Sequence, residues 1–210
     1  GIFLTSYTSG GGVETGSLVR LVGDNVVAEG TLSADKFVVG RGINLLRNTN
    51  FSQGLSGWGK GGTGAVGPNT TLSLRAAGQP WAALNEPTLL LEQDSDDTNG
   101  LSVAEARMVY ADGSSSQLAV AVEPGVWYEA SAQLSTHRCA GDVQIKFFDE
   151  DGVYLSDGLS DELVDQLGSS KRPSTWPRMW VKQQAPANAA FAQMQARKKG
   201  TLSGDRSLLF

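Results

Sequence analysis

Asp142-Val143-Gln144-Ile145-Lys146-Phe147-Phe148-Asp149-Glu150-Asp151-Gly152-Val153-Tyr154-Leu155 decides the fold class. Val143, Ile145 and Phe147 fall on every second position, the period at which a pleated strand sends side chains to one face. The acidic run Asp149-Glu150-Asp151 closed by Gly152 is turn chemistry, and residues 153–155 read as the returning strand. The same pattern repeats outward from this hairpin. Residues 104–110 run to Ala111-Asp112-Gly113, a hairpin signal, and residues 117–122 answer with Leu118, Val120 and Val122 alternating against Ala119 and Ala121. Glu123-Pro124-Gly125 then turns the chain into a strand over residues 127–135. Further strands are expected at 72–76, 81–84, 88–92, 179–183 and 190–196, with a last one around Leu208. One stretch departs from the period: residues 161–167 place Leu163, Val164 and Leu167 at helical spacing and predict a short helix over a sandwich edge. Many short strands with regular turns make an all-β sandwich or barrel.

Composition agrees with that class and excludes others. The 210 residues are 40% hydrophobic and 19% charged, as in an ordinary folded protein. Glycine is abundant at 26 residues, which suits turns and bulges and disfavours helices. A net charge of -5 argues against general affinity for nucleic acid or anionic membrane. No apolar run approaches the ~20 residues needed to cross a bilayer, so no membrane insertion is expected. Cys139 is the only cysteine, which rules out an intrachain disulfide and a multi-cysteine metal site. The chain opens on Gly1 without a secretory signal, and Ser207-Leu208-Leu209-Phe210 ends inside an apolar run; the expectation is a piece of a longer protein.

Two regions differ in character. Residues 1–42 alternate short β-like pieces (17–22, 25–28, 36–39) with breaks at Gly10-Gly11-Gly12, Gly23 and Gly40-Arg41-Gly42. They hold too few apolar residues for a core of their own. They are expected to form an extended connector that buries its Val, Leu and Phe against the next domain or against identical segments of neighbouring chains. Residues 43–210 are expected to form one β-sandwich.

Within the sandwich, Asn44-Leu45-Leu46-Arg47-Asn48-Thr49-Asn50-Phe51-Ser52-Gln53-Gly54-Leu55-Ser56-Gly57-Trp58 resembles the opening strand of the family 4/9/22-type carbohydrate-binding modules. Phe51 and Trp58 can pin a long loop onto the sandwich, while Gly54 and Gly57 turn the chain between them. Pro124-Gly125-Val126-Trp127-Tyr128-Glu129-Ala130-Ser131-Ala132 is similar to the middle strand of those modules. Trp176-Pro177-Arg178-Met179-Trp180, followed by residues 185–192, resembles their penultimate pair of strands. The resemblance implies a jelly-roll β-sandwich over most of residues 43–210. A second resemblance lies in Ala28-Glu29-Gly30-Thr31-Leu32-Ser33-Ala34-Asp35-Lys36-Phe37, which looks like repeats near the C-terminus of tail tip attachment and central tail fibre proteins of tailed bacteriophages. It implies a homotrimer, and three copies of residues 1–42 could bury what one cannot. It also implies a place in the virion tail, outside the cell, among other tail proteins. The function it implies is attachment to a host surface through cell-surface polysaccharide or another receptor. Two rival readings are an accessory module of a secreted glycoside hydrolase, with residues 1–42 as linker, and a structural tail decoration that binds no sugar. Real enzyme linkers are Pro/Thr/Ser-rich, and this one is not.

The residues give little support to catalysis, so the chain is expected not to be an enzyme. His137 is the only histidine, and it lies two residues from Cys139 with no third group evident to orient the pair. The carboxylates of Asp94-Ser95-Asp96-Asp97 and Asp149-Glu150-Asp151 sit in polar turns, whereas a glycosidase acid needs an apolar pocket to raise its pKa. Gly59-Lys60-Gly61-Gly62-Thr63-Gly64 matches the dinucleotide fingerprint, but Ala65-Val66-Gly67-Pro68 cannot continue as a helix, so a flexible loop is expected. Residues 94–100 approximate a calcium loop with a misplaced glycine and no closing Glu. No cofactor is required by this reading. The resembled modules often hold a structural calcium with an acidic residue just after the opening Phe; here that position is Ser52, and Asp205 remains as a metal-ligand candidate.

Aromatic residues are the chemistry left. Sugars offer apolar C–H faces to Trp and Tyr, and their hydroxyls take hydrogen bonds from neighbouring polar groups. Trp58 coincides with a structural position of the resembled modules and is expected in the core. Trp127 and Tyr128 must face opposite sides of their strand. Trp81, Trp127, Trp180 and Tyr154 are the expected exposed stacking residues.

Overall fold

A computed structural model describes residues 44–83, 85–109, 115–116, 120–165, 176–204 and 206–209, with backbone alone at 108–109 and 115–116. The expected connector at 1–42, the hairpin turn at 111–113 and Asp205 lie outside the described residues. From Asn44 onward the chain forms one unit, and every assigned strand pairing is antiparallel. In chain order the first strands are β1 (Trp58–Thr63), β2 (Thr70–Arg75), β3 (Thr88–Gln93), β4 (Leu101–Ala106) and β5 (Met108–Val109). Next come β6 (Ser115–Ser116), β7 (Val120–Ala121), β8 (Trp127–Gln133), β9 (Thr136–His137) and β10 (Cys139–Phe148). The last are β11 (Tyr154–Leu159), β12 (Leu163–Val164), β13 (Arg178–Gln184), β14 (Phe191–Thr201) and β15 (Ser207–Leu209).

These strands make two layers. The front sheet runs β1-β4-β14-β10-β11, with β12 added along β10 and β7 along β14. The rear layer holds the sheet β2-β3-β15-β9 and a two-stranded ribbon of β13 and β8. A separate small pair, β5 with β6, stands after β4. The chain leaves the front at β1, makes β2 and β3 in the rear, and returns at β4; β8 and β9 are again rear and β10 front. This crossing back and forth is the jelly-roll wrap, and it answers the need of each sheet to bury one face.

The core lies between the layers. Val143, Ile145 and Phe147 of β10 all point into it, as their period requires, joined by Ala104, Ala106, Ala192, Met194 and Ala196 from the front sheet. Leu89, Leu91, Leu209, Ala130 and Val181 meet them from the rear. Full burial of each large apolar side chain contributes about 1.5–3 kcal/mol. Alanines beside Met194 and Phe147 leave room for the larger rings and chains of the opposite layer. The opening loop is pinned as its residues suggest. Asn48 Nδ2 donates to Gly54 O (2.9 Å) and Ser56 O (2.8 Å), Trp58 Nε1 donates to Asn48 O (3.3 Å), and the Phe51 and Trp58 rings lie 5.5 Å apart. Gly54 (φ 65°) and Gly57 (φ 80°) supply the left-handed turns.

Four expectations about elements need correction. The glycine run at 59–64 is not a loop: it forms most of β1, paired with β4 in the register Gly59↔Glu105 and Gly61↔Val103. The Arg107 side chain lies over the strand at Gly59, and glycine is required at Gly62, where a Cβ would stand 2.7 Å from the backbone of Gly67 and Leu101. Residues 81–83 form a turn instead of a strand, with Trp81 at φ 65°. At 161–167, no helix forms in the described part; Leu163 pairs with Gly141 and Val164 with Ala140 as a short β extension. Helical spacing over so few residues does not separate a turn of helix from an edge pair. Finally, the strand expected at 104–110 begins at Leu101 and breaks at Arg107, whose N–H donates to Gly57 O (2.7 Å).

Candidate functional site

The ribbon of β8 and β13 builds the site. Its register sets Trp127 opposite Gln184, Glu129 opposite Lys182, Ser131 opposite Trp180 and Gln133 opposite Arg178. Tyr128, Ala130, Ala132, Met179 and Val181 pack on the core. The alternate set, Trp127, Glu129 and Ser131 with Arg178, Trp180 and Lys182, therefore forms the outer face. Trp127 is 57% exposed and Trp180 56%. Gln184 lies across from Trp127 and four positions along β13 from Trp180, so the two indoles are rooted about 13 Å apart along the ribbon.

The ground between the rings is polar. Arg178 pairs with Glu129 and donates to Ser131 Oγ (2.9 Å). Lys182 Nζ sits 5.4 Å from the Trp127 ring centroid, within range of a cation–π attraction. Gln184 Nε2 donates to Gly125 O (2.7 Å), tying the turn before β8 to the end of β13. Tyr128, the inward neighbour of Trp127, has its ring 6.2 Å from Phe147, and its hydroxyl accepts from Glu123 N (2.9 Å). The anchor beneath Trp127 is thus held by both the core and the turn.

Tyr154 is also exposed, at 51%, but belongs to the other layer. It opens β11 opposite Phe148, whose ring it meets edge-on at 6.3 Å. Its phenol pKa is raised, by partial desolvation first and then by the adjacent Asp157 carboxylate, which is also its hydrogen-bond partner. The structure therefore brings Trp127 and Trp180 onto one surface and leaves Tyr154 on another.

Trp81 does not belong among the exposed rings. It is only 7% exposed, packed with Leu90, Leu208 and Trp176 in a second apolar cluster, and its ring lies 4.7 Å from that of His137. This cluster covers the side of the rear sheet turned away from the main core, which is why Leu89, Leu90 and Leu91 are all buried. The sequence suggests an exposed strand at Trp81, but the turn folds the indole back onto residues distant in the chain.

Sequence reasoning also missed a polar network on the front sheet. Glu105, Gln195 and Gln144 stand in register across β4, β14 and β10 and are all buried. Gln195 Nε2 donates to Glu105 Oε2 (3.2 Å) and Gln193 Oε1 (2.8 Å), Arg107 pairs with Glu105 (2.7 Å), and Gln144 donates to Asp157. Arg197 makes a two-pronged pair with Asp142 at 2.6 and 2.7 Å. These groups largely satisfy one another, as buried polar groups must. The signal available was glutamine at alternate positions of one strand, Gln193 and Gln195, which by itself reads as a solvated face.

The other candidate groups are engaged within the fold. His137 ends a rear strand and Cys139 begins a front one. The buried Cys139 thiol donates to Leu208 O (3.1 Å), and burial pushes its pKa up to about 11, so it is a protonated, unreactive group at neutral pH. Asp149 Oδ1 accepts from Asp151 N (3.0 Å) and Val153 N (2.8 Å), capping its own turn. Asp97 Oδ2 is taken by Asn69 Nδ2 (2.6 Å) and Ser95 Oγ (2.9 Å). For calcium, Ser52 is exposed and its N–H goes to Asn50 Oδ1 (3.2 Å). No three His, Cys, Asp or Glu residues converge among the described residues.

Fold and ribbon together define an all-β, two-layer jelly-roll sandwich with an outward aromatic pair. No protein-family model matches the sequence, and no curated protein does. Among solved structures, the chain is similar to the enzymatically active domain of tailspike protein 4 of bacteriophage CBA120, at 14% identity and a TM-score of 0.50. That likeness covers 79% of this chain but 20% of the tailspike chain, so this chain spans about a fifth of that length. It shows a shared fold. A carbohydrate-binding module, TmCBM61 in complex with β-1,4-galactotriose, aligns at 14% identity and a TM-score of 0.46, over 79% of this chain and 93% of that one. The CBM22-1–GH10 modules of Clostridium thermocellum xylanase 10B, complexed with xylohexaose, align at 12% and 0.46, over 76% and 26%.

Proposed function

We propose that this chain is a non-catalytic, polysaccharide-binding sandwich of a bacteriophage tail tip or tail fibre, which attaches the virion to its host through Trp127 and Trp180. The observation that carries the reading is the pair of half-exposed indoles on one face of the β8–β13 ribbon, separated by hydrogen-bonding side chains. Exposed rings with polar groups between them match a sugar's alternation of C–H faces and hydroxyls. The fold likeness to a tailspike domain supports the tail setting. In this reading the partner is cell-surface polysaccharide, the chain works outside the cell beside other tail proteins, and residues 1–42 join three copies.

Affinity electrophoresis of the whole chain through a panel of bacterial and plant polysaccharides tests it. Wild type should be retarded by at least one polymer. Trp127→Ala and Trp180→Ala should each weaken retention about fivefold to tenfold, since a lost stacking contact costs about 1 kcal/mol or more. Circular dichroism should be unchanged, because both side chains lie outside the core. A wild-type chain that no polymer retards, or a double variant retarded as strongly as wild type, would sink the reading.

A further inference from the structure

We infer that the ribbon selects an acidic polysaccharide, one whose sugars carry carboxylates, and that Lys182 is the residue that reads the charge; this rests on the sugar-binding reading above. The outer face of the ribbon bears three charges: Glu129, Arg178 and Lys182. Lys182 stands directly across from Glu129, the position from which a cross-strand ion pair would form. Glu129 is instead taken diagonally by Arg178, which also holds Ser131. Among the described residues Lys182 Nζ has no carboxylate partner, and it rests over the Trp127 ring at 5.4 Å. The ribbon thus presents one uncompensated cation beside an exposed indole, on a chain whose net charge is -5.

That arrangement distinguishes two kinds of sugar. A neutral sugar stacking on Trp127 competes with the ammonium for the ring face and returns nothing to the displaced charge. An acidic sugar stacks and supplies a carboxylate to the same ammonium, so the cation–π contact gives way to a charge-assisted hydrogen bond. Ring and cation are both in place before the sugar arrives, which limits the ordering cost of binding. Glu129 is neutralised by Arg178, so no bare carboxylate faces the incoming one.

Polygalacturonate and its fully methyl-esterified form, which share one backbone and differ in charge, test the selection by affinity electrophoresis, with alginate and dextran as a second acidic and neutral pair. The acidic polymers should bind the wild-type chain about tenfold more tightly than their neutral partners. Lys182→Met should lose about tenfold on the acidic polymers and hold neutral ones at least as tightly as wild type, since the ammonium no longer competes for the Trp127 ring, and Lys182→Arg should restore most of the difference. Added salt should weaken the wild type more than Lys182→Met, as loss of a screened charge contact requires. Equal affinity for acid and ester, or a Lys182→Met chain that holds acidic polymer as tightly as wild type, overturns the inference. Should Trp-dependent retention persist on neutral polymers in that case, sugar binding survives and only the acidic selection fails. Absence of retention on every polymer overturns both.

Discussion

Cys139 opens β10 with its thiol closed between the layers, and that placement makes two measurable demands. A thiol-specific reagent should not react with the native chain and should react stoichiometrically once it is unfolded. The thiol pKa is raised from 9.0 to about 11, chiefly by burial, with Lys198 opposing. A group raised on folding contributes stability that is intact below its unfolded pKa and lost as pH climbs through the folded one. Unfolding free energy should therefore fall between about pH 9 and 11, by up to about 2.7 kcal/mol for two units. Lys198, whose buried ammonium is shifted down, binds fewer protons folded than unfolded below pH 10.5 and pulls the other way. The difference between wild type and Cys139→Ala isolates the thiol: urea melts across this range should show a steeper fall in wild type than in the variant. A variant with the same alkaline slope would mean the thiol is not buried as described. Other single residues were legible to differing degrees. Alternation alone separated Trp127 from Tyr128. Trp81 was not legible, because its burial depends on Leu90, Leu208 and Trp176, which no local pattern connects to it.

At the scale of elements, period 2 located β2, β3, β8, β10, β13 and β14 to within a few residues. It failed where side chains are absent or few. The glycine run of β1 has no alternation to read, and its meaning lies in the backbone of Gly67 and Leu101 that closes on Gly62. β12 is two residues long, too short for any period. Gly200 shows the same dependence within a strand: a Cβ there would stand 2.5 Å from the backbone of Thr98, where β14 meets the 94–100 loop. That junction is further tied by Lys198 Nζ donating to Gln93 Oε1 (2.7 Å) and by Thr201 N donating to Asp97 O (3.0 Å). Gly200→Ala should therefore cost about 1–3 kcal/mol, the range for forcing atoms into a packed site. Gly54→Ala, in a turn with nothing within 4 Å of the added methyl, meets only the backbone penalty of its positive φ, about 1–2 kcal/mol. Chemical denaturation of both variants checks this, and a Gly200→Ala chain as stable as wild type would contradict the close approach.

For the whole molecule, the sandwich from Asn44 onward carries its own two-layer core, and the proposed trimer is assigned to the leading segment, residues 1–42. If identical copies complete that leading segment, light scattering of the whole chain should give three times 22.1 kDa, and a chain starting at Asn44 should run as a monomer. A stable monomer of the whole chain would contradict the trimer.

The sequence alone determined that the chain is all-β, where most strands run, and that Trp127 and Tyr128 part company, because side-chain direction along a strand is a local property of the backbone. Only the tertiary structure decided that Trp127 and Trp180 share a surface, that Tyr154 stands on the other layer, and that Trp81 is interior. Those outcomes depend on which strands pair and which loops fold back, and such pairings join residues far apart in the chain by contacts that leave no periodic trace.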